Sequence, residues 1–432
     1  MLGIGNKKIS TESYKGVRDF FPEDQAIQNY IFGMMRKVAI SWGYDEYGAS
    51  VLEPLSLYKS KTSEEIVNEQ IYSFNDRGGR EVALRPEMTP TVARMIASKI
   101  QELPVPIRWF SIPNLFRYEK PQRGRLREHW QLNVDMFGVS DFWAEVEVIS
   151  IASDILRKFG ADDKDFKIKI NSRAFLDDLF KNIGIDGDKV QFVYRLIDKK
   201  NKMSDESFRH SLVTLIGEEK TEELLKTFYF GEGLLTTMNQ SVATKHLNQT
   251  IETLRDRGVS NVVFDPTITR GFDYYTGVVF EVFDTNPENP RAIFGGGRYD
   301  NLLSSFSNQS MSGIGFGMGD VTTKDFLETH KLLPKIKSRT DLYICVAPGA
   351  DVAKIYQIAD ELKDKEINVT VDISGRKLSD QLKSLDKRRI PFVTTIGSEE
   401  LEKKVFVIRN VETRKEKSGG IDEIVSVIRD NS

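Results

Sequence analysis

The segment RGFDYYTGVVFEVF, residues 270–283, constrains the fold more than any other stretch of the chain. In its second half, successive side chains would point to opposite faces of a strand. Both faces would be largely apolar, which predicts a buried strand. The two faces carry Val279, Glu281 and Phe283 on one side and Val278, Phe280 and Val282 on the other. An arginine, an acid and two tyrosines then lie at the mouth of this strand, where chemistry is usually placed. A hairpin turn capped by an exposed arginine would explain the same residues.

The N-terminal third of the chain predicts helices on one side of an antiparallel sheet. Apolar residues recur at helical spacing over residues 25–42, and residues 71–84 have the pattern of a hairpin that turns at residues 77–79. A strand is predicted over residues 44–52 and another over 107–119, with an antiparallel mate beginning at residue 131. The basic, turn-forming residues 119–130 separate this last pair. The order predicts an α+β fold.

Two further regions differ from this first part in their sequence pattern. Residues 173–244 are rich in charge and in helix-forming residues, which predicts a helical insertion. From residue 341 to the end, strands and helices alternate, which is typical of a small α/β domain with a largely parallel sheet. We therefore expect a first domain over residues 1–330, with the insertion inside it, and a second domain over residues 341–432.

Composition excludes several classes of protein. Lysine plus arginine (61) nearly balances aspartate plus glutamate (64), so a nucleic-acid partner would have to meet a local basic patch. The single cysteine, Cys345, has no internal partner for a disulfide, and the four histidines are too scattered to suggest a zinc site. Neither a signal peptide nor a membrane span is evident, so we expect a cytoplasmic protein without a resident metal site.

Arginines cluster in the loop FRYEKPQRGRLREHWQ between two predicted strands. Arg117 and Arg125 lie there beside Glu119, with Arg123 and Arg127. Arginines fixed at strand ends bind phosphate oxygens well, and a carboxylate can accept a hydrogen bond from an amino group such as that of adenine. A solvated charged hairpin is the simpler alternative.

Glycines cluster in FGGGRYD, residues 294–300, and in SGIGFGMGD, residues 312–320. Neither segment has the order of a phosphate-binding P-loop or a convincing dinucleotide fingerprint. Alternating small residues instead favour a strand that a ligand or a helix approaches closely on one face. Close packing alone would explain them as well.

Taken together, these segments resemble one family. YKGVRDFFPED, LRPEMT, FRYEKPQRGR with HWQLNVD, RGFDYYTGVVFE, GGGRYD and GIGFGMGD occur in the order found in histidyl-tRNA synthetases, which are class II aminoacyl-tRNA synthetases. The resemblance extends over essentially the whole chain. It implies a class II catalytic domain on a mainly antiparallel sheet, a helical insertion and a C-terminal α/β anticodon-binding domain.

The resemblance implies that histidine is first joined to ATP and then transferred to the terminal ribose of its tRNA. Arg117 and Arg270 would be the catalytic pair, both at the α-phosphate, and Arg125 would reach the γ-phosphate. Glu119 would read the adenine amino group and His129 would stack on the base. Magnesium would accompany ATP and bridge its outer phosphates.

The resemblance also implies a pocket that holds the ammonium, the carboxylate and both ring nitrogens of histidine. Asp135 and Tyr275, with Tyr274 beside it, match the contacts around the ring. The complete implied set of histidine-binding residues is Glu87, Met88, Thr89, Gln131, Asp135, Arg270, Tyr274, Tyr275 and Tyr299.

Three positions depart from the family pattern. Ser50 stands where class II proteins usually have a proline at the dimer interface, and His129 replaces an aromatic residue, commonly phenylalanine. Thr322 stands where the third motif normally supplies an arginine that packs on ATP. Either another cation substitutes for that arginine, or the affinity for ATP is reduced.

The implied partners are tRNA(His), L-histidine, ATP and a second copy of the chain in a homodimer, with no membrane. Arg376, Lys377, Lys387, Arg388 and Arg389 are candidates for contact with tRNA phosphates, although Arg388 and Arg389 would also suit a solvated helix end. A catalytically silent synthetase paralogue with a regulatory or tRNA-sensing role is an alternative. The missing arginine keeps it open, but such paralogues are expected to lose RGFDYY or the C-terminal domain, and this chain has both. A sibling synthetase for another amino acid is a further alternative, which RGFDYY disfavours.

Overall fold

A computed structural model describes residues 9–59, 66–200, 203–237, 241–269, 274–306 and 310–430. The chain divides into two compact units, Met1–Leu333 and Pro334–Ser432. None of the helices described is long and apolar enough to cross a lipid bilayer.

The first unit is built on a large, mainly antiparallel sheet. Its path runs β1-β5-β7-β12-β11-β10-β8-β9, with β6 paired to β7; only β1 with β5 and β8 with β9 pair in parallel. A smaller sheet has the order β2-β4-β3. The strands are β1 Asp45–Glu46, β2 Leu52–Pro54, β3 Tyr72–Asn75, β4 Glu81–Leu84, β5 Ile107–Ser111, β6 Asn114–Phe116, β7 Glu128–Phe137, β8 Phe166–Ser172, β9 Val262–Phe264, β10 Val278–Asp284, β11 Ala292–Arg298 and β12 Gly313–Gly319.

Helices α1 and α4 of the first unit pack on one face of the large sheet, α3 packs on the other, and later helices form the predicted insertion. Helices α1 and α4 pack together, and α4 contacts β7 and β12. Helices α5 to α9 follow β8 in the chain, and α10 leads back to β9. The helices are α1 Pro22–Ser41, α2 Ser56–Lys59, α3 Thr89–Ser98, α4 Trp143–Lys158, α5 Arg173–Ile183, α6 Asp188–Lys199, α7 Asp205–Ile216, α8 Glu218–Phe230, α9 Glu232–Thr237, α10 Val242–Asp256 and α11 Asp320–Thr329.

Strand β10 separates two hydrophobic clusters. Val278, Phe280 and Val282 belong to the main core under α1, α4 and α10, whereas Val279 and Phe283 belong to a smaller cluster that contains several tyrosines. Because successive side chains of a strand point to opposite faces, a strand with two apolar faces joins both clusters. This is the buried strand that the alternation predicts.

Several predicted elements differ from those in the structure. The strand predicted over residues 44–52 is two short strands, β1 and β2, and the strand predicted over residues 107–119 is interrupted between β5 and β6. Pro113 lies at that interruption, where it has no N–H to give to a sheet. Strand β7 begins at Glu128, within the segment predicted as a turn, because residues 128–130 pair with β6.

The second unit contains its own five-stranded sheet of order β14-β13-β15-β16-β17. The predicted alternation accounts for its parallel part, β14-β13-β15; the antiparallel edge made by β16 and β17 was not predicted. Its elements are β13 Leu342–Val346, α12 Val352–Asp364, β14 Val369–Val371, α13 Leu378–Arg388, β15 Phe392–Ile396, α14 Ser398–Lys403, β16 Phe406–Asn410, β17 Glu416–Gly419 and α15 Ile421–Arg429. The predicted fold class, α+β followed by α/β, is confirmed.

Close packing of the central strands generates a prediction about stability. A Cβ atom on Gly296 of β11 would lie 2.1 Å from the carbonyl oxygen of Gly315 and 2.7 Å from the Cα of Phe316. Neither backbone atom is able to move without disturbing β12, so Gly296→Ala should lower the free energy of unfolding by about 1–3 kcal/mol. All four tryptophans lie in the first unit, so their fluorescence during urea unfolding measures this loss.

Gly33 provides the matched control. It is exposed in the middle of α1, and a Cβ there would meet nothing within 4 Å. Gly33→Ala should therefore stabilise the first unit by up to about 1 kcal/mol, because alanine favours the helix. A Gly296→Ala variant as stable as the Gly33→Ala variant would contradict the packing argument.

Candidate active site

A polar cleft of about 290 Å³ opens in the first unit over strands β7, β10, β11 and β12. Its walls come from the residues before α3, from the arginine-rich hairpin between β6 and β7, and from Tyr274 and Tyr275. Carboxylates and arginines face each other across it. Such a concave site with a few convergent polar groups is the usual place for ligand binding.

The structure brings most of the predicted site residues together in this cleft. Met88 does not line it; its side chain is buried below, at the start of α3. Arg270 lies outside the described residues. The predicted residues that line the cleft are Glu87, Thr89, Arg117, Glu119, Arg125, His129, Gln131, Asp135, Tyr274, Tyr275 and Tyr299.

The floor of the cleft depends on the pairing of β7 with β12. From Gln131 to Asp135, every second residue of β7 is polar and lies directly opposite a glycine of β12, which leaves space above the sheet. The facing pairs are Gln131 with Gly319, Asn133 with Gly317, and Asp135 with Gly315.

Two of these glycines are required by the side chains around them. A Cβ on Gly315 would lie 2.4 Å from Oδ1 of Asp135 and 2.7 Å from the hydroxyl of Tyr299. A Cβ on Gly317 would lie 1.5 Å from Nε2 of Gln131. Real Cβ contacts are never this short, so the glycines exist to admit the polar side chains.

One end of the cleft combines a buried acid with three tyrosines. Oδ1 of Asp135 accepts a hydrogen bond from the hydroxyl of Tyr299. Burial raises the pKa of Asp135 to about 7, and the hydrogen bond from Tyr299 opposes that rise. The ring centroids of Tyr274 and Tyr275 lie 5.9 and 6.5 Å from that of Tyr299, and the Tyr274 hydroxyl donates to Oε2 of Glu87 at 3.2 Å.

The other end of the cleft carries the cations. Arg117 is held by a hydrogen bond from its Nε to the carbonyl of Pro86, 2.8 Å away, and Arg125 lies 3.6 Å from the carboxylate of Glu119. Burial lowers the pKa of His129 to about 3, and the positive charges of Arg117 and Arg18 lower it further. The His129 ring is therefore neutral at ordinary pH and offers a flat, uncharged face.

The two remaining arginines of the hairpin are used elsewhere and do not line the cleft. The guanidinium of Arg127 lies 3.9 Å from the ring centroid of Tyr118 and donates to the hydroxyl of Tyr14. The backbone N–H of Arg127 also donates to the carbonyl of Gly16. Arg123 donates to the carbonyl of Glu288. These contacts attach the hairpin to the N-terminal segment and to the β10–β11 connection.

Thr322 and Ser50, two of the departures from the family pattern, have specific partners. The Thr322 hydroxyl donates to the carbonyl of Ile293 at 2.6 Å, and Thr322 lines the cleft without adding a charge. The carbonyl groups of Ala49 and Ser50 accept hydrogen bonds from the buried Arg85, at 2.8 and 3.3 Å. These hydrogen bonds from Arg85 thus hold the backbone at position 50, where class II proteins usually have a proline.

Sequence reasoning missed two polar residues of the cleft, Asn133 and Glu281. Asn133 lies between Gln131 and Asp135 on the same face of β7, and the period of two along QLNVD would have found it. Glu281 is an acid in the middle of an otherwise apolar strand. A single charge on a face that buries Val279 and Phe283 was the available signal.

A buried ion pair supports the cleft from behind. Nε and Nη2 of Arg298 each lie 2.6 Å from an oxygen of Glu145 in α4, and both residues are buried. His246 of α10 lies 3.0 Å from the same carboxylate. Burial opposes ionisation of Glu145, but the hydrogen bonds from Arg298 and His246 hold its pKa below the usual value. Arg298 thereby joins β11 to α4, next to Tyr299.

The segment with the two tyrosines is fixed by the same network. The backbone N–H of Thr276 donates to the carbonyl of Arg298 at 2.8 Å, and its hydroxyl donates to Asp300 at 3.1 Å. Arg173, the first residue of α5, donates to the carbonyl of Tyr275 at 3.2 Å. The tyrosines are thus positioned by backbone contacts from β11 and from the start of the insertion.

An antiparallel sheet with hairpin arginines at one end of its cleft and a buried acid with tyrosines at the other defines a class II aminoacyl-tRNA synthetase. The sequence matches the family model described as "Histidyl-tRNA synthetase" over residues 16–320 and that of an anticodon binding domain over residues 343–431. The chain therefore belongs to the histidyl-tRNA synthetase family.

Similar proteins carry the same description. A Histidine–tRNA ligase of Leptospira biflexa is 43% identical over 431 residues, which cover 98% of each chain. One of Thermoplasma volcanium is 36% identical over 424 residues, 96% of this chain and 98% of that relative. A crystal structure of histidyl-tRNA synthetase from Nostoc sp. PCC 7120 aligns over 98% of this chain and 100% of its own, with a TM-score of 0.83 at 21% identity, and supports the fold.

The buried ion pair behind the cleft generates a second prediction. Glu145→Gln leaves the Arg298 guanidinium buried beside a neutral amide, which should lower the free energy of unfolding of the first unit by about 3 kcal/mol. Glu147→Gln, two residues along α4, is the control because Glu147 pairs with the more exposed Arg108; we expect a loss of about 1 kcal/mol or less. Urea unfolding followed by tryptophan fluorescence compares the two. Equal losses would contradict the role assigned to burial.

Proposed function

We propose that the cleft catalyses ATP-dependent ligation of L-histidine to its tRNA through a histidyl-adenylate. The observation that carries this proposal is the meeting, in a single cleft, of the arginine hairpin and of the Asp135 and tyrosine cluster. Membership of the histidyl-tRNA synthetase family supports the same reaction. Neither the fold nor the similar proteins favour the regulatory alternative.

In the first step, the carboxylate of histidine attacks the α-phosphorus of ATP and pyrophosphate leaves. Negative charge grows on the non-bridging oxygens, so fixed cations supply most of the catalysis and no protein nucleophile is needed. Arg117 is the described cation that the Pro86 carbonyl holds in place at this end of the cleft. We assign it, together with Arg270, to the α-phosphate.

The cation end of the cleft would receive ATP. His129 presents a neutral ring for stacking on adenine, and Glu119 would accept a hydrogen bond from the adenine amino group. Arg125, which Glu119 already attracts, would reach the γ-phosphate. Thr322 contributes an uncharged wall at the position where the third motif usually has an arginine.

The acidic end would receive histidine. Glu87, Thr89 and Gln131 are assigned to the ammonium and carboxylate groups of the amino acid. Asp135 and Tyr275 are assigned to the two ring nitrogens, with Tyr299 and Tyr274 fixing their positions. Leaving a buried polar group of this pocket unpaired would cost about 1–3 kcal/mol, which discriminates against side chains of other chemistry.

Magnesium would accompany ATP. Mg²⁺ is usually held by one or two carboxylates together with substrate phosphates, not by a complete protein cage. Glu281 lines the cleft and is the carboxylate that we assign to the ion. The ion would neutralise charge on the outer phosphates.

We assign residues 1–330 to catalysis, with the insertion over about 173–244, and residues 341–432 to anticodon binding. Within the second unit, Nη2 of Arg376 lies 3.1 Å from Asp372, and Lys377 is exposed beside it. These residues, with Arg388 and Arg389, would meet tRNA phosphates; the side chain of Lys387 lies outside the described part of the chain. Binding through them should weaken steeply with salt. A homodimer and a cytoplasmic location complete the proposal.

Histidine-dependent exchange between ATP and pyrophosphate tests the proposed reaction. We expect exchange with L-histidine and none with the other nineteen amino acids, because the ring pocket is built for imidazole. Transfer of labelled histidine to tRNA(His) should then follow. Exchange with a different amino acid would move the chain to a sibling specificity, and no exchange at all would favour the silent paralogue.

Arg270→Ala should lower the exchange rate by at least a hundredfold, because one of the few fixed cations at the α-phosphate is lost. Histidine affinity, measured by calorimetry, should change little. Arg123→Ala is the matched control, since Arg123 belongs to the hairpin but does not line the cleft; its exchange rate should stay close to that of the wild type. An unchanged rate for Arg270→Ala would remove Arg270 from the mechanism.

A further inference from the structure

The two oxygens of the Asp135 carboxylate differ in their contacts. Oδ1 accepts the hydrogen bond from Tyr299, whereas Oδ2 is buried and has no hydrogen-bond partner in the described part of the chain. Only 3% of the residue is exposed. An ionised carboxylate in such a place costs several kcal/mol unless a cation or a donor reaches it. A ligand therefore either brings a proton or a positive charge to the ionised carboxylate, or accepts a hydrogen bond from the protonated acid.

Among the residues that the structure describes, the groups packed against Asp135 are uncharged. Trp109 of β5 and Gly315 of β12 lie opposite it in the sheet, and phenols approach from three other segments. The phenols are Tyr47 after β1, Tyr299 after β11, and Tyr274 with Tyr275 before β10. The charged groups of the same cleft are Glu87, Arg117, Glu119, Arg125 and Glu281. Among the described residues, burial raises the pKa of Asp135 to about 7, opposed by the Tyr299 hydrogen bond alone.

The ring of free histidine titrates in the same range, near about 6.5. Two acids of similar strength that meet in a dry pocket hold one proton more readily than two or none, because one proton leaves no uncompensated charge between them. The same pocket offers an amide of glutamine or asparagine no such proton.

We propose that Oδ2 of Asp135 and one ring nitrogen of the bound histidine share a single proton, so that the cleft selects its amino acid by a matched acid–base pair. This inference rests on the proposed function. The complex forms either from an ionised carboxylate and an imidazolium or from a neutral carboxylic acid and a neutral ring. No proton is gained or lost between the two descriptions. In both, the second ring nitrogen carries hydrogen and donates to the hydroxyl of Tyr275.

The proposal fixes how histidine affinity depends on pH. Above about pH 7 both free partners have lost their protons, so binding must take one up, and the affinity should fall about tenfold per pH unit. Below about pH 6.5 both are protonated, so binding must release one, and the affinity should fall again. The affinity is therefore greatest between these values and decreases on both sides.

Calorimetric titration of the full chain with L-histidine tests this between about pH 5.5 and 8.5, at each pH in two buffers of different ionisation enthalpy. The buffer dependence of the heat gives the number of protons exchanged. We expect uptake approaching one proton at the alkaline end and release approaching one at the acid end. An affinity that does not vary with pH, with no proton exchanged, would overturn the inference while leaving the proposed function intact.

Two substitutions and one ligand analogue distinguish the loss of histidine affinity at alkaline pH (the alkaline limb) from the loss at acid pH (the acid limb). Asp135→Asn should abolish the alkaline loss of affinity and keep the acid one, because an imidazolium buried beside a neutral amide has no counter-charge. A triazole analogue of histidine, whose ring stays unprotonated in this range, should show the reverse with the wild-type chain. Tyr299→Phe removes the hydrogen bond that lowers the pKa of Asp135, so its alkaline limb should move to higher pH.

The outcomes are distinguishable from failure of the proposed function. An alkaline limb that persists in Asp135→Asn, or one that does not move in Tyr299→Phe, would assign the titration to another group and overturn the inference. A histidine affinity of zero at every pH would instead overturn the proposed function and this inference with it. Because the analogue experiment uses the unchanged chain, it decides the matter even where a substitution disturbs folding.

Discussion

The buried ion pair between Arg298 and Glu145 is the interaction on which the cleft depends. It joins the sheet to α4, and through His246 it reaches α10 at the end of the insertion. Because the guanidinium is fully engaged, the backbone on either side of it is fixed, and this backbone carries Tyr299 and receives Thr276. The pocket is therefore positioned by contacts that never touch a ligand, as precise sites require.

Charge is distributed along the cleft in a way that separates two tasks. Cations gather at the hairpin end, where phosphates would lie. At the tyrosine end, the described residues place no cation against the Asp135 carboxylate. The His129 ring is neutral because it is buried near positive side chains, and the Thr322 hydroxyl donates its hydrogen bond to a backbone carbonyl. The end proposed for the nucleotide therefore relies on few charges, held in fixed positions, and the end proposed for the amino acid relies on burial.

Much of the fold and of the cleft is predictable from sequence, for identifiable reasons. The alternation around Phe280 and the turn residues of the β3–β4 hairpin are local signals, and the structure follows them. The single strand predicted over residues 107–119 is wrong because Pro113 interrupts it between β5 and β6. Glu145 and His246 had no local signal at all, since their importance comes from Arg298, which is distant in sequence. The two-residue period of the strands places Asn133 and Glu281 on the faces that line the cleft, but this signal does not separate a site residue from an ordinary strand residue.

The glycines of β12 have an evolutionary consequence. At Gly315 and Gly317 every other amino acid is larger, so any substitution adds atoms where Asp135, Tyr299 or Gln131 already stand. Gly315 is closed to gradual change, because the backbone carbonyl of Val134 lies 2.5 Å from its Cβ position, whereas a residue at Gly317 needs only the flexible Gln131 side chain to move. A lineage that altered the amino acid accepted by this cleft would have to do so from β7 and the tyrosines, over a floor that stays the same.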